Sequence, residues 1–175
     1  MEEWGIQDSK NFGSSEKGKR TRASLAGQIA CHFEHSIIVI SSDKVDRFVT
    51  ETSLNYLEQI TARKIIDTLP ADKVVLDGEN LFAPLVNDHV VAKNKADQDY
   101  LSVAAASILA KSERDRLFGL ICDSFRSSFG EINGGGYANK KTLEFVRWYL
   151  TSKGELPGFY RKSYNWKALQ EVFRY

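Results

Sequence analysis

Three stretches of the chain hold residue types at spacings that suit chemistry on a charged backbone. Asp77 closes the apolar run KVVLDG (73–78). A carboxylate at the C-terminal end of a strand lies where open α/β sheets place ligands, and it can hold a divalent cation. Asp-Gly is equally an ordinary turn after a strand. In LSVAAASILAKSERDR (101–116), Ser107, Lys111 and Asp115 fall four apart, on one helical face. Lys111 beside Asp115 is either a plain ion pair, worth ~0.3–0.5 kcal/mol, or a phosphate-contacting lysine next to a metal-binding aspartate. In GGGYANKKT (134–142), three glycines precede Tyr137. Such glycines let a backbone approach a partner closely, and the tyrosine ring can stack on a sugar or base. A glycine loop is also a common connector. Ser9 and Lys10, in the DSK near the start, offer a hydroxyl and an amine for phosphate. Each signal is weak taken singly.

The elements that must position these residues follow from periodicity. SSEKGKRTRASLAGQIACHF reads as a helix, with Leu25, Ile29 and Phe33 at spacing four. SIIVISS (36–42) is continuous and β-branched, which predicts a strand buried on both faces. The segment from Ser41 to Pro70 reads as helix, broken near Ser53 and capped by Ser42 or Asp43. KVVLDG predicts a second strand and HVVA (89–92) a short third one. DYLSVAAASILAKSERDRLFGLICDSF is a long helix, TLEFVRWYLTSKG another that Gly154 ends, and KALQEVFRY a terminal helix. ELPGFYRKSYNW reads as a loop. Strands alternating with helices predict an α/β fold with parallel strands.

Composition bounds the rest. A chain of 175 residues, 42% hydrophobic and 27% charged, fits one soluble globular domain. The longest apolar run, Ile37 to Ile40, is too short to span a membrane, and MEEWGIQDSK has no signal-peptide pattern. Two distant cysteines, Cys31 and Cys122, give neither a disulfide framework nor a zinc spacing, and predict a cytoplasmic setting. A net charge of +1 advertises no global affinity for nucleic acid. Locally, residues 137–175 carry eight Lys/Arg, three Glu and ten aromatics. That mixture suits nucleic acid, and equally a solvated helix with a packed aromatic face.

In this order the motifs resemble type 2 ribonuclease H, closest to its archaeal and eukaryotic branch. The matching stretches are GIQDSK, SLNYLE, VVLDG, KADQDYLSVAAASILAKSERDR, GGGYANKKT and RKSYNW. The block from KAD to RDR is the long and specific one. The resemblance implies a ribonuclease H-like fold, a mixed sheet flanked by helices. It implies divalent-metal-dependent cleavage of the RNA strand in RNA–DNA hybrids and at ribonucleotides embedded in duplex DNA. It implies Mg²⁺ or Mn²⁺ held by four carboxylates. Asp77 and Asp115 match two of these. Ser9, Lys10, Lys95, Ser107 and Lys111 match positions on the nucleic-acid backbone, and Tyr137 the tyrosine that senses the ribose 2′-hydroxyl.

One departure stands out. The family's opening strand carries an Asp-Glu pair followed by Gly-Arg-Gly, and neither motif occurs in this chain. The expectation is a single domain over residues 1–175, lacking the family's first strands and two of its four metal ligands. Such a chain is a fragment, one half of a split nuclease completed by a second chain or segment, or an inactive hybrid-binding module. A reading independent of the resemblance is an α/β protein that binds a phosphorylated metabolite.

Overall fold

The computed structural model describes residues 15–132, 138–164 and 166. Ser9, Lys10, Tyr137 and the expected terminal helix lie outside them. Contacts divide the chain into two units, Met1–Val39 with Asn55–Arg114, and Ile40–Leu54 with Asp115–Tyr175.

In the first unit, α1 (Glu16–His32) starts at Ser15, whose Oγ accepts the Gly18 N–H at 3.2 Å. Its Leu25, Ala26 and Ile29 pack against Ala104, Ala105 and Ile108 of α6 (Leu101–Phe125). The alanines bring the two helices close, because no long side chain keeps their backbones apart. α3 (Leu54–Thr68) buries Leu57, and its Gln59 amide donates to the Leu81 carbonyl at 2.7 Å.

β1 (Val74–Asp77) and β2 (Val90–Lys93) pair in parallel, with Val74 opposite Val90 and Asp77 opposite Lys93. Between them run α4 (Glu79–Phe82) and a 3₁₀ turn, Ala83–Leu85. β2 begins one residue later than the sequence predicts. The cause is Asn87, whose Oδ1 accepts the N–H groups of His89 (2.8 Å) and Val90 (3.0 Å) and holds His89 in the turn. A very short helix, α5 (Ala96–Asp99), follows β2.

The expected strand SIIVISS is corrected. Residues 36–41 form no strand, and Ser42 already belongs to α2 (Ser42–Glu51). The run is not buried on both faces: Ile37 is 41% exposed and Val39 58%, alternating with half-buried Ile38 and Ile40. A strand needs a ladder partner, and among the described residues β1 and β2 pair only with each other. The cap of α2 is also corrected. It is Ser41, whose Oγ accepts the Lys44 N–H at 3.4 Å, rather than Ser42 or Asp43. The break near Ser53 is present, with α2 ending at Glu51 and α3 starting at Leu54.

The second unit is built on rings. Phe125 meets Phe145 edge-on at 5.1 Å, and Phe129 lies 5.2 Å from both Phe145 and Trp148. α7 (Lys140–Lys153) supplies Phe145, Val146, Trp148 and Tyr149 to this cluster. Asn139 caps its start by accepting the Thr142 N–H at 3.0 Å, and Gly154 ends it at φ 75°, as the sequence predicts. α2 is tied to the loop after α7. Ser42 Oγ donates to the Gly158 carbonyl, and the Asp46 carboxylate accepts the N–H groups of Lys162 and Ser163, each at 2.8 Å.

Candidate metal and nucleic-acid site

Asp77 sits where the sequence places it, exposed at the C-terminal end of β1. What holds it is the parallel partner. The Ala96 N–H, at the start of α5, donates to Asp77 Oδ1 at 3.1 Å. That bond brings the KAD turn to the strand end. The turn is tight, because Lys95 caps α5 with a left-handed backbone (φ 57°, ψ 36°). Among the described residues it is the one non-glycine with positive φ. Such a conformation costs a side-chain-bearing residue roughly 1 kcal/mol or more, and it collects at functional sites.

The residue after Ala96 is Asp97, which is only 6% exposed. Carboxylates are rarely buried unless a cation or a set of donors compensates their charge. A buried carboxylate therefore lies one residue from the amide that binds Asp77. Sequence reasoning treated the KAD motif through Lys95 and passed over Asp97. Its signal was a second aspartate that a β-strand and a turn would return to the end of β1. Nearby, Lys93 is ion-paired with Asp99 and lies 5.8 Å from the centre of the Tyr100 ring. The hydrogen bond and charge of Asp99 hold Lys93 above its ordinary pKa.

The other predicted residues distribute as follows. Ser107 and Lys111 are half-buried on consecutive turns of α6, in the same unit as Asp77 and Lys95. Asp115, one turn further on, belongs to the second unit. Asp77 and Asp97 are hard oxygen donors of the kind that divalent cations such as Mg²⁺ take. In donor type they fit a metal, but the set is incomplete. Among the described residues no group of three or more His, Cys, Asp or Glu side chains is placed to hold an ion.

A sequence model of Ribonuclease HII matches residues 1–167. The chain belongs to the ribonuclease HII family. It is 32% identical to a ribonuclease HII of Methanobrevibacter smithii, over 98% of this chain and 83% of the relative. It is 29% identical to one of Methanococcus maripaludis, over 94% of this chain and 71% of that protein. Its fold is similar to the crystal structure of ribonuclease H2 from Pyrococcus horikoshii, with TM-score 0.76 and 23% identity, covering 98% of this chain and 81% of that one. The RNase HII in a PCNA complex from Archaeoglobus fulgidus superposes with TM-score 0.73 at 24% identity, covering 92% and 78%. The ribonuclease H-like fold expected from the motifs is therefore present. Ribonuclease HII proteins are type 2 ribonucleases H, endonucleases acting on the RNA of RNA–DNA hybrids and generally dependent on divalent metal. No helix among the described residues is long and apolar enough to cross a membrane.

Proposed function

We propose that this ribonuclease HII cleaves the RNA strand of RNA–DNA hybrids, and also at single ribonucleotides embedded in duplex DNA. Mg²⁺ or Mn²⁺ is held at the ends of β1 and α5. The observation that carries the reading is the Ala96 N–H bond to Asp77 Oδ1, which ties the turn before the buried residue Asp97 to the end of the strand bearing Asp77. That bond occupies one oxygen of Asp77 and orients the carboxylate, so its second oxygen serves the cation. When bound, the metal activates water and neutralises the leaving oxygen.

Around this centre the chain's cations meet phosphate. Lys95, at its strained turn, and Lys111, on α6, contact the backbone, with Ser107 as a hydroxyl donor to it. Ser9 and Lys10 add phosphate contacts, and Tyr137 detects the ribose 2′-hydroxyl. Asp115, one turn beyond Lys111, is the competing candidate for the second ligand, and mutation separates it from Asp97. Both cysteines are free thiols, which supports a reducing, cytoplasmic setting.

A second reading has its own support. The described residues group fewer than three metal-ligating side chains, and the apolar run 36–40 has no strand partner among them. Both fit a chain that binds hybrids without cutting them until a second chain or segment adds strands and carboxylates. The experiment is a cleavage assay on duplex DNA with one embedded ribonucleotide, with Mg²⁺ or Mn²⁺, on the parent chain and on Asp77→Asn, Asp97→Asn and Asp115→Asn. Metal-dependent cutting that disappears in Asp77→Asn and Asp97→Asn supports the nuclease. A folded parent that binds hybrid in a salt-sensitive way but never cuts it leaves the binding module.

A further inference from the structure

The ends of β1 and β2 are fastened together beyond their ladder, and one side chain makes most of the fastening. The Gly78 N–H donates to the Lys93 carbonyl at 3.0 Å, the last rung. Next, the Glu79 N–H donates to Asn94 Oδ1 at 3.0 Å, while Asn94 Nδ2 donates to Glu79 Oε2 at 3.2 Å. The bond from the Ala96 N–H to Asp77 follows. Asn94 thus uses both its acceptor and its donor on one residue of the turn after β1. It follows the last rung, between Lys93 and the turn that carries Ala96 and Asp97.

We propose that Asn94 is a positioning residue: it locks the turn after β1 to the turn after β2 and so fixes the spacing of Asp77 and Asp97. The inference rests on the metal site put forward above. The chemistry of the amide is what the place requires. An aspartate there would keep an acceptor for the Glu79 N–H but lose the donor, and it would set a second negative charge against Glu79. Alanine would lose both bonds. Glu79 faces Asn94 through one oxygen, so a glutamine at 79 still offers a carbonyl oxygen to the Asn94 amide. Groups that orient metal ligands from outside commonly change metal affinity by about 10–100-fold when removed.

The test is Mn²⁺ binding to the full chain without substrate, read by electron paramagnetic resonance of the free ion, with thermal unfolding of every variant as a check. Asn94→Ala is expected to weaken Mn²⁺ binding about tenfold. Asn94→Asp is expected to weaken it as well, despite the added carboxylate. Glu79→Gln is expected to weaken it less than Asn94→Ala. In the cleavage assay, Asn94→Ala loses turnover at limiting Mn²⁺ and recovers it as the metal is raised, while KM for the hybrid stays put. A merely structural role would lower activity at every metal concentration.

Tighter binding by Asn94→Asp would overturn the inference by making position 94 a ligand. A loss in Glu79→Gln as large as in Asn94→Ala would overturn it by making the Glu79 charge the determinant. Parent-like affinity in both position-94 variants would overturn it while leaving the metal site standing. A parent chain that binds no Mn²⁺ removes the metal site itself, and the inference with it.

Discussion

Two β-branched runs look alike in the sequence and have different fates. VVLD (74–77) becomes a strand, with Val90, Val91 and Ala92 across from its first three residues. IIVI (37–40) is more apolar and becomes no strand, leaving Ile37 and Val39 exposed. Composition does not separate them; a ladder partner among the described residues does. β1 finds β2 within a short connection, 12 residues from Gly78 to His89. The ladder then presents a polar residue, Asp77, at its open end. Apolar periodicity reports what a segment can bury, whereas pairing decides which edge of a sheet acquires a functional end.

Mutations that strike the two runs differently can break or sharpen this contrast. The largest effect is expected at the end of the paired run. Asp77→Asn should lower the cleavage rate by roughly a hundredfold or more, with unfolding temperature little changed. Asp97→Asn should match it if the carboxylate beside the Ala96 amide is the second ligand, and a loss in Asp115→Asn alone would move the site onto α6. Next comes packing. Val90, 4% exposed, should cost about 2 kcal/mol as Val90→Ala in urea unfolding. Val39→Lys, in the run without a ladder partner among the described residues, should change stability by less than ~0.5 kcal/mol and reduce aggregation. A Val39→Lys cost as large as that of Val90→Ala would mean the run is covered, and the contrast would collapse.

A smaller effect lies at Lys95. Lys95→Gly should raise stability by up to about 1 kcal/mol by relieving its positive φ. It should also reduce the salt dependence of hybrid binding by about one phosphate contact. The smallest is a pH effect. Partial burial disfavours the charged form of Asp46, but the hydrogen bonds from Ser163 and Lys162 and the nearby Arg161 outweigh it and hold its pKa below the ordinary carboxylate value. A depressed carboxylate stabilises the fold above its unfolded pKa and loses that contribution as pH falls through the folded one. The second unit should therefore weaken only below about pH 4, and Asp46→Asn should flatten that acid limb of a denaturation profile.

Much of the fold was legible because local rules sufficed. α1, α6 and α7 follow apolar spacing, and Gly154 stops α7 because a residue without Cβ accepts φ 75° there. Asp77 was legible because Gly78 marks the strand end. What escaped depends on contacts distant in sequence. Ser36–Ser41 cannot announce that it has no strand partner among the described residues. Lys95 gives no local sign that it adopts a left-handed turn, since that conformation is imposed by bonds linking its neighbours to Asp77 and Glu79. Asp97 was hidden in the same way, because a carboxylate in a polar stretch reads as surface until burial is known.

The bonds from Lys162 and Ser163 to Asp46 join residues 116 and 117 apart in the chain. Closing so long a loop carries a high entropic cost before any contact rewards it. This clasp is expected to form late in folding, after the transition state. Its removal in Asp46→Ala would then leave the refolding rate nearly unchanged and speed unfolding, so Asp46 would set how long the second unit stays folded rather than how fast it gets there.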